Sequence, residues 1–307
     1  MKIAFTTELP REGFRRLAGH TLYAPFEEAD ILVSTFDYKV SDELIAAMPK
    51  LKLIANFGAG YNNIDLEACK VRGIRVTNTP QPVIEPTAEL AFALMIDIAR
   101  RVSEFDRTVR AGQAVFGVMN NLSHSLYGKT LGILGMGRIG QALARRAKAS
   151  GMQIIYHNRH ELTNERVKEL KSEGVEARYV DFQTLLQESD YLSLNLPYTP
   201  EVHHLIGKPE LGMMKRSAYL INTARGAHVD EAALVEALKS GIIAGAALDV
   251  YEHEPAVSSE LLTLPNVVLS PHTGTGTWEG RIAMCENVTD NILAFANNDY
   301  NNMNIVL

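Results

Sequence analysis

Hydrophobic residues along the first third of the chain fall in short runs, and polar stretches with helical spacing separate these runs. Apolar runs of about four to eight residues bounded by turn residues are typical of buried strands. The predicted strands are Lys2–Phe5, Ile31–Ser34, Leu51–Phe57 and Ile74–Thr77, and the predicted helices are Arg11–Ala18, Asp42–Met48 and Ile64–Arg72. This alternation predicts a parallel sheet with crossover helices, so residues 1 to about 98 are expected to form a small α/β unit.

A cluster of turn residues, Asn78–Pro82, ends this first series. Glu85 and Pro86 follow it, and proline suits the first turn of a helix. A long apolar helical pattern then runs to Val102. We expect this helix to connect two domains.

The second series repeats the strand and helix alternation over a longer stretch. The predicted strands are Thr130–Leu134, Met152–Tyr156, Tyr191–Leu196, Ala218–Asn222, Ile243–Val250 and Val267–Ser270. The predicted helices follow Gly140 and cover Asn164–Ser172, Asp181–Glu188 and Asp230–Ser240. Repeated βα units feeding one sheet indicate a doubly wound domain. A last helical pattern, Trp278–Asn297, is expected to return to the first unit, which gives an α/β protein with one domain at 1–98 and 284–307 and another at 99–283.

A glycine run lies where the first strand of the second series meets its helix. Gly135, Gly137 and Gly140 form a GxGxxG pattern after the apolar run Leu131–Leu134 and before the strong helix former Gln141–Ser150. In the dinucleotide-binding fingerprint, the three glycines permit a tight turn, a close backbone approach to a pyrophosphate, and close packing of the helix on the strand. Because strand and helix flank the motif as the fingerprint requires, we predict a dinucleotide site here rather than an ordinary glycine-rich turn.

Length and charge narrow the function classes. The 307 residues, 46% of them hydrophobic, are enough for two cores, and the formal net charge of -6 with no basic run argues against a nucleic-acid partner. No apolar run approaches the ~20 residues of a membrane helix, and no segment resembles a cleavable signal, so a cytoplasmic location is expected. Cys69 and Cys285 are far apart and lack ligand spacing, so neither a disulfide nor a metal site is expected.

Three polar residues follow apolar runs of the second series, at the strand ends where doubly wound sheets bind ligands. They are Arg225, Glu254 and His272. An arginine can grip a carboxylate in a bidentate fork, a histidine can protonate a carbonyl oxygen, and a carboxylate can fix the histidine tautomer and favour the imidazolium. From position alone each has a plainer alternative: a helix cap or surface ion pair for Arg225, a solvated carboxylate for Glu254, and a structural hydrogen bond for His272.

Four motifs in their order make the chain resemble the D-isomer-specific 2-hydroxyacid dehydrogenases over essentially its whole length. They are Gly135–Gly140, Ile221–Gly226, Ala246–Val250 with Glu254-Pro255, and Ser270–Gly274. The resemblance implies a Rossmann dinucleotide-binding domain and a smaller flavodoxin-like substrate domain. It also implies Arg225 as the substrate-binding cation, His272 as the proton donor and Glu254 as its orienting partner.

The same resemblance implies further binding residues. Those implied for the cofactor are Gly135, Gly137, Arg138, Ile139, Gly140, Leu196, Pro197, Thr223, Ala224 and Asp249, the last at the nicotinamide carboxamide. For the substrate carboxylate it implies the backbone N–H groups of Gly58, Ala59 and Gly60. Successive amides in a glycine turn can form such an anion nest, although a simple strand-to-helix turn is the alternative.

The residues after the second strand of the doubly wound series bear on cofactor choice. An NAD site places a carboxylate there to bind the ribose 2′-hydroxyl. This chain has Asn158 and Arg159, and no carboxylate that would repel a 2′-phosphate. NADP is therefore preferred, with NAD as the alternative.

The sequence thus predicts an NADPH-dependent reductase of a small 2-oxoacid such as glyoxylate or hydroxypyruvate, without a catalytic metal and as a homodimer. Two alternatives stay open: an NAD-dependent D-2-hydroxyacid dehydrogenase of other substrate range, and a dinucleotide-sensing protein similar to the corepressors that share this fold. Tyr61 and Trp278 are candidates for pocket walls, but Trp278 is expected instead to be a core or interface residue.

Overall fold

The computed structural model describes all 307 residues, which divide into two compact units. Unit 1 comprises residues 1–86 and 275–307, and unit 2 comprises residues 87–274. The boundaries predicted from the sequence are 98/99 and 283/284. Each lies further along the chain than the corresponding boundary in the structure. The first boundary falls inside a continuous helix, where the hydrophobic pattern offers no break to mark it.

Twelve strands and ten α-helices make up the two units. The strands are β1 (Lys2–Phe5), β2 (Thr21–Leu22), β3 (Ile31–Thr35), β4 (Leu53–Phe57), β5 (Arg75–Thr77), β6 (Thr130–Leu134), β7 (Gln153–His157), β8 (Ala177–Tyr179), β9 (Tyr191–Leu194), β10 (Tyr219–Asn222), β11 (Gly245–Leu248) and β12 (Val267–Leu269). The helices are α1 (Asp42–Ala46), α2 (Leu66–Val71), α3 (Ile84–Arg100), α4 (Val102–Arg110), α5 (Arg138–Ala149), α6 (Asn164–Ser172), α7 (Phe182–Glu188), α8 (Lys208–Met213), α9 (Glu231–Lys239) and α10 (Trp278–Ala296).

Unit 1 is built on a five-stranded parallel sheet in the order β2-β1-β3-β4-β5. This is the flavodoxin-like order, so the smaller domain has the architecture that the resemblance implies. Strands β3 and β4 are buried along their whole length, which explains why apolar residues predominate in both. Helix α10 packs on the turn Arg11–Leu17 so closely that a Cβ on Gly13 would lie 2.2 Å from the Cβ of Cys285.

Unit 2 carries a seven-stranded parallel sheet in the order β12-β11-β10-β9-β6-β7-β8. The chain order reverses between β6 and β9, which is the point where doubly wound sheets bind their ligands. The predicted doubly wound Rossmann domain is therefore confirmed. Helix α5 begins at Arg138, three residues before the predicted start at Gln141, because Gly137 already serves as its N-cap.

Several elements differ from the sequence-based expectations. The predicted helix Arg11–Ala18 is a 3-10 helix over Arg11–Leu17. Strands β2 and β8 and helix α8 were not predicted, since each is six residues or fewer and carries little periodic signal. The long helix after Glu85 ends at Arg100, and Arg101 adopts a left-handed backbone (φ 57°) that separates it from α4. None of the helices combines the length and apolar character needed to cross a bilayer.

Candidate active site

The glycine turn between β6 and α5 has the geometry of a dinucleotide cradle. Gly135 has φ +97°, and a Cβ there would lie 2.8 Å from the backbone carbon of Asn195. A Cβ on Gly140 would lie 2.4 Å from the carbonyl oxygen of Gly135, so this glycine lets the helix pack on the strand. A Cβ on Gly137 would meet nothing within 4 Å. The fold thus requires glycine at positions 135 and 140, whereas Gly137 faces open space beside the start of α5.

Side chains bind both backbone polar groups of Met136, which lies in the middle of this turn. The Met136 N–H donates to Asn158 Oδ1 at 2.7 Å, and Gln141 Nε2 donates to the Met136 carbonyl at 3.0 Å. Gln141 is 5% exposed, and its Oε1 accepts a hydrogen bond of 2.7 Å from Arg166 Nε. These contacts fix the direction of the loop amides before any ligand arrives.

The remaining predicted cofactor residues lie along the same edge of the sheet. Arg138 and Ile139 form the first turn of α5, and Arg159 is exposed just after β7. Leu196 lies against Gly135, and Pro197 accepts a hydrogen bond from His228 Nε2 through its carbonyl at 3.4 Å. Thr223 and Ala224 follow β10, and the buried Thr223 hydroxyl has no hydrogen-bond partner within the protein.

Residues of the same edge also carry the three predicted catalytic side chains. Arg225 follows β10, Glu254 follows β11 and His272 follows β12, and these strands are adjacent and parallel. His272 Nδ1 lies 2.7 Å from Glu254 Oε2, and the N–H of Tyr251 donates to Glu254 Oε1 at 3.0 Å. The side chains of His272 and Glu254 are 22% and 29% exposed, so both remain accessible from solvent.

The charge state of this cluster follows from its contacts. Burial by itself would raise the pKa of Glu254, but hydrogen bonds from His272 and the Tyr251 N–H, together with the charges of His272 and Arg225, outweigh burial and lower it. Burial lowers the pKa of Arg225, while the charge of Glu254 acts to raise it. An arginine stays protonated in proteins, so the site holds a cation and an anion next to an imidazole.

Asn222, the last residue of β10, shapes the turn that carries Arg225. Its Nδ2 donates to the Arg225 carbonyl at 2.9 Å, and its Oδ1 accepts from the Ala224 N–H at 3.0 Å. Gly226 follows, and a Cβ there would lie 1.9 Å from the backbone of Tyr251. The turn is therefore fixed on both sides of Arg225.

Asp249 holds the chain just after His272. Its carboxylate is 1% exposed and accepts from the N–H groups of Thr273 and Gly274, each at 2.8 Å. The His272 N–H in turn donates to the Asp249 carbonyl at 2.8 Å, and His272 has a left-handed backbone (φ 53°). The contact of Asp249 with a nicotinamide stays a prediction, and the structure adds this positioning role.

The loop Gly58–Gly60 of unit 1 follows β4. Asn56 Nδ2 donates to the carbonyls of Gly58 (3.0 Å) and Gly60 (2.9 Å), and Asn78 Nδ2 donates to that of Ala59 (2.9 Å). Because the C=O and N–H of one trans peptide point in opposite directions, the N–H groups of Ala59 and Gly60 face away from these amides. The Gly58 N–H differs, since it donates to the Asn56 carbonyl at 3.1 Å. Ala59 and Gly60 are thus the two donors that the loop can offer an anion.

Residues 92–274 match the family model for the NAD binding domain of D-isomer specific 2-hydroxyacid dehydrogenases. The chain belongs to this family. It is an NAD(P)-dependent oxidoreductase, as its sequence motifs predicted.

Relatives within the family include reductases of small acids. The chain is 51% identical to a glyoxylate reductase of Thermococcus litoralis over 274 residues, which cover 88% of this chain and 81% of that protein. Its structure is similar to that of a glyoxylate reductase from Paecilomyes thermophila, with a TM-score of 0.87, 36% identity and coverage of 100% and 98% of the two chains. It is also similar to an NADPH-dependent glyoxylate/hydroxypyruvate reductase from Sinorhizobium meliloti in complex with NADP and malonate, with a TM-score of 0.84, 32% identity and coverage of 96% and 93%.

The residues that position the family motifs were not predicted from the sequence. Gln141, Asn222 and Tyr251 act through hydrogen bonds to backbone groups, as does Asn56 in unit 1. A polar residue at the end of an otherwise apolar strand is the signal that Asn56 and Asn222 offered. Trp278 is 78% exposed, so it is not a core residue, and its position at an interface stays a prediction.

Proposed function

We propose that this chain reduces glyoxylate, hydroxypyruvate or a similarly small 2-oxoacid to the D-2-hydroxyacid, with NADPH as the preferred reductant. The observation that carries the proposal is the ionised Glu254 bound to His272 beside Arg225. A cation for a carboxylate and an imidazole held by a carboxylate are the groups that protonation of a 2-oxoacid carbonyl needs.

Each residue has a separate task in this reaction. Arg225 binds the substrate carboxylate and polarises the neighbouring carbonyl, and its positive charge stabilises the developing alkoxide. Glu254 accepts a hydrogen bond from the Nδ1–H of His272, so Nε2 is the ring nitrogen that donates a proton to the carbonyl oxygen. Asp249 and Asn222 hold the two turns in place. We also propose that the loop Gly58–Gly60 binds the substrate carboxylate through the N–H groups of Ala59 and Gly60.

The nicotinamide cofactor fits the residues at the glycine turn. The open space at Gly137 leaves room for a pyrophosphate beside the free N–H groups of α5, and Thr223 offers a buried hydroxyl without a protein partner. When bound, the reduced cofactor supplies the hydride. Gly135–Gly140, Leu196, Pro197, Thr223, Ala224 and Asp249 are the residues proposed to hold it.

The preference for NADPH rests on Asn158 and Arg159. Asn158 uses its Oδ1 on the Met136 N–H, so its Nδ2 remains as a donor, and Arg159 is exposed in the same turn. A guanidinium and an amide donor favour a 2′-phosphate, and neither of the two residues that follow β7 is the carboxylate that would bind a 2′-hydroxyl.

The substitution Arg159→Ala tests this preference. We expect KM for NADPH to rise about 10- to 100-fold with little change for NADH, because one charge-assisted contact is lost. Arg178→Ala is the matched control, since Arg178 lies exposed on β8 and pairs with Glu188. An unchanged KM for NADPH in the Arg159 variant would remove the argument for NADP.

A panel of 2-oxoacids, each assayed with NADPH and with NADH, tests the reaction itself. We expect the highest kcat/KM with glyoxylate or hydroxypyruvate. Tight cofactor binding without turnover of any 2-oxoacid would contradict the proposal and favour a dinucleotide sensor.

We further propose that the protein is a homodimer, with the cytosol as its expected location. Unit 2 exposes a run of large apolar side chains in one segment, residues 115–122. Val115, Phe116, Val118, Met119 and Leu122 are between 60% and 94% exposed. Exposed apolar surface of this kind marks protein interfaces, and a second copy of the chain is the partner that the family resemblance implies.

A further inference from the structure

A cluster of two histidines and a glutamate lies on loops of unit 2 and uses none of the residues assigned to the reduction. His203 and His204 follow the short turn Pro200–Val202 after β9, and Glu252 follows β11. Their candidate ligand atoms all lie within 4.8 Å of one another. We propose that His203, His204 and Glu252 form a binding site for a divalent transition-metal ion of the Zn²⁺ type.

The backbone at His204 creates the cluster. Consecutive side chains of an extended chain point to opposite sides, but His204 has a left-handed backbone with φ 51°. As a result the two imidazole rings stack, with centroids 3.9 Å apart and planes 20° from parallel. A left-handed backbone is uncommon for residues other than glycine, and at His204 it places the nitrogen ligands of both histidines on the same side of the chain.

The carboxylate is already oriented toward these rings. His204 Nε2 lies 2.6 Å from Glu252 Oε1, and Glu252 Oε2 accepts from the Glu231 N–H at 3.3 Å. The Glu252 side chain is 15% exposed, so its rotamer is restricted by packing. Glu231 and Tyr198 thus serve as outer partners, the latter through its hydroxyl 3.3 Å from His203 Nδ1. That contact leaves His203 Nε2 as the second nitrogen ligand.

The donor set selects the ion. Two imidazoles and one carboxylate with an open fourth position suit Zn²⁺, Co²⁺, Ni²⁺ or Cu²⁺ rather than Mg²⁺ or Ca²⁺, which prefer oxygen ligands. Bonds of about 2 Å to a tetrahedral ion separate the ligand atoms by about 3.3 Å. The His204–Glu252 contact would open slightly to reach this spacing, and the exposed His203 ring would move toward it.

A bound ion would join loops that carry parts of the active site. The His204 N–H donates to the Ala227 carbonyl at 2.8 Å, and Glu252 packs against Gly226, next to Arg225. Because the ion would bind the folded protein and not the unfolded chain, it is expected to raise the Tm by about 5 °C at a hundredfold excess over its Kd. The proposal is independent of the proposed substrate and cofactor.

Metal uptake by the untagged full-length protein tests the site. After treatment with EDTA, the protein is dialysed against Co²⁺ and Zn²⁺, and bound metal, the visible d–d absorption of Co²⁺ and the Tm are measured. We expect one ion per chain, an absorption of the intensity typical of tetrahedral Co²⁺, and the rise in Tm. Uptake below one equivalent, or an unchanged Tm, would overturn the proposal.

Three variants locate the ion, and a fourth is the control. His203→Asn, His204→Asn and Glu252→Gln should each abolish uptake, whereas His253→Asn should not, since His253 is exposed beside Glu252 but outside the cluster. Asparagine tolerates the left-handed backbone at position 204, so that variant should fold. Equal uptake by wild type and Glu252→Gln would contradict the assignment.

A measurement on the wild-type protein avoids any dependence on variants. Substoichiometric Cu²⁺ should broaden the ring-proton NMR signals of His203 and His204 before those of the other histidines. Selective broadening of any other histidine instead would place the ion elsewhere and overturn the proposal.

Discussion

Glu254 combines two roles that require it to be ionised. It accepts a hydrogen bond from Nδ1 of His272, which orients the imidazole, and its negative charge interacts with the positive charge of Arg225. Burial opposes this charge, but the contacts from His272, Tyr251 and Arg225 keep the pKa of Glu254 below its ordinary value. The carboxylate therefore loses its charge only as the pH falls through this lowered pKa, so the pair with His272 persists into mildly acidic solution.

The substitution Glu254→Gln tests the charge separately from the hydrogen bond. We expect kcat for 2-oxoacid reduction to fall about 10²-fold, because glutamine keeps a polar partner near His272 but removes the anion. The acid limb that protonation of Glu254 gives to the wild-type kcat/KM profile should be absent from the variant, because glutamine does not titrate and the lowered pKa of Glu254 sets that limb. The measurement is a pH profile of wild type and variant. His253→Gln provides an exposed histidine control, and an acid limb unchanged in the Glu254 variant would show that the charge of Glu254 is unimportant.

His228 illustrates a buried residue whose protonation opposes folding. It is 0% exposed, and its Nδ1 has no hydrogen-bond partner within the protein. Burial, with a smaller contribution from the charge of Arg225, lowers the pKa of His228 from 6.5 to about 4. Between these two values the unfolded chain binds a proton that the folded chain does not.

The free energy of unfolding is therefore expected to fall as the pH drops from about 6.5 to about 4, by ~3 kcal/mol from this residue. His228→Gln should remove that part of the pH dependence. Urea unfolding at several pH values measures it, and His160→Gln, which alters an exposed histidine of the same unit, should keep the full dependence. Identical slopes for wild type and His228→Gln would contradict the burial argument.

At the scale of elements, the β6–α5 junction separates what folding requires from what binding requires. Gly140 is needed for the helix to approach the strand, whereas Gly137 borders open space with an ordinary φ of -76°. The same residue type in one motif therefore has two different physical roles.

Alanine at these two positions should give opposite results. Gly140→Ala is expected to lower stability by ~1–3 kcal/mol through overpacking against the Gly135 carbonyl. Gly137→Ala should leave the Tm of the ligand-free protein unchanged but weaken NADPH binding at least about tenfold, ~1.4 kcal/mol. Thermal unfolding and cofactor titration distinguish the two. A loss of stability in Gly137→Ala, with unchanged binding, would reverse the assignment.

The strands were predictable from the sequence where most of their residues are apolar and buried. The strands β3, β4, β6, β9 and β10 are buried throughout or nearly so, and their apolar runs identified them. Strand β8 shows the limit, since none of its three residues is fully buried and its hydrogen bonds to β7 define it. Pairing of this kind leaves no periodic signal in a short segment.

At the scale of the whole molecule, the exposed segment 115–122 predicts an assembly. Phe116 is 88% exposed and Val118 is 94% exposed. The double substitution of Phe116 and Val118 by aspartate should convert a dimer into a monomer, because charge at an apolar interface is costly to desolvate. Sedimentation velocity measures the mass of each species. Val71→Asp is the control, since Val71 is 83% exposed in unit 1. A wild-type protein that sediments as a monomer would contradict the homodimer.

The sequence by itself determined the two α/β domains, the glycine turn and the three candidate catalytic residues, because periodicity, turn chemistry and motif order are local properties of the chain. Only the tertiary structure decided which groups meet. It paired His272 with Glu254 across 18 residues, brought Asp249 to the chain after His272, and stacked His203 on His204 beside Glu252. These contacts depend on strand order and on backbone angles such as the left-handed turn at His204, which distant parts of the chain impose and no local pattern encodes.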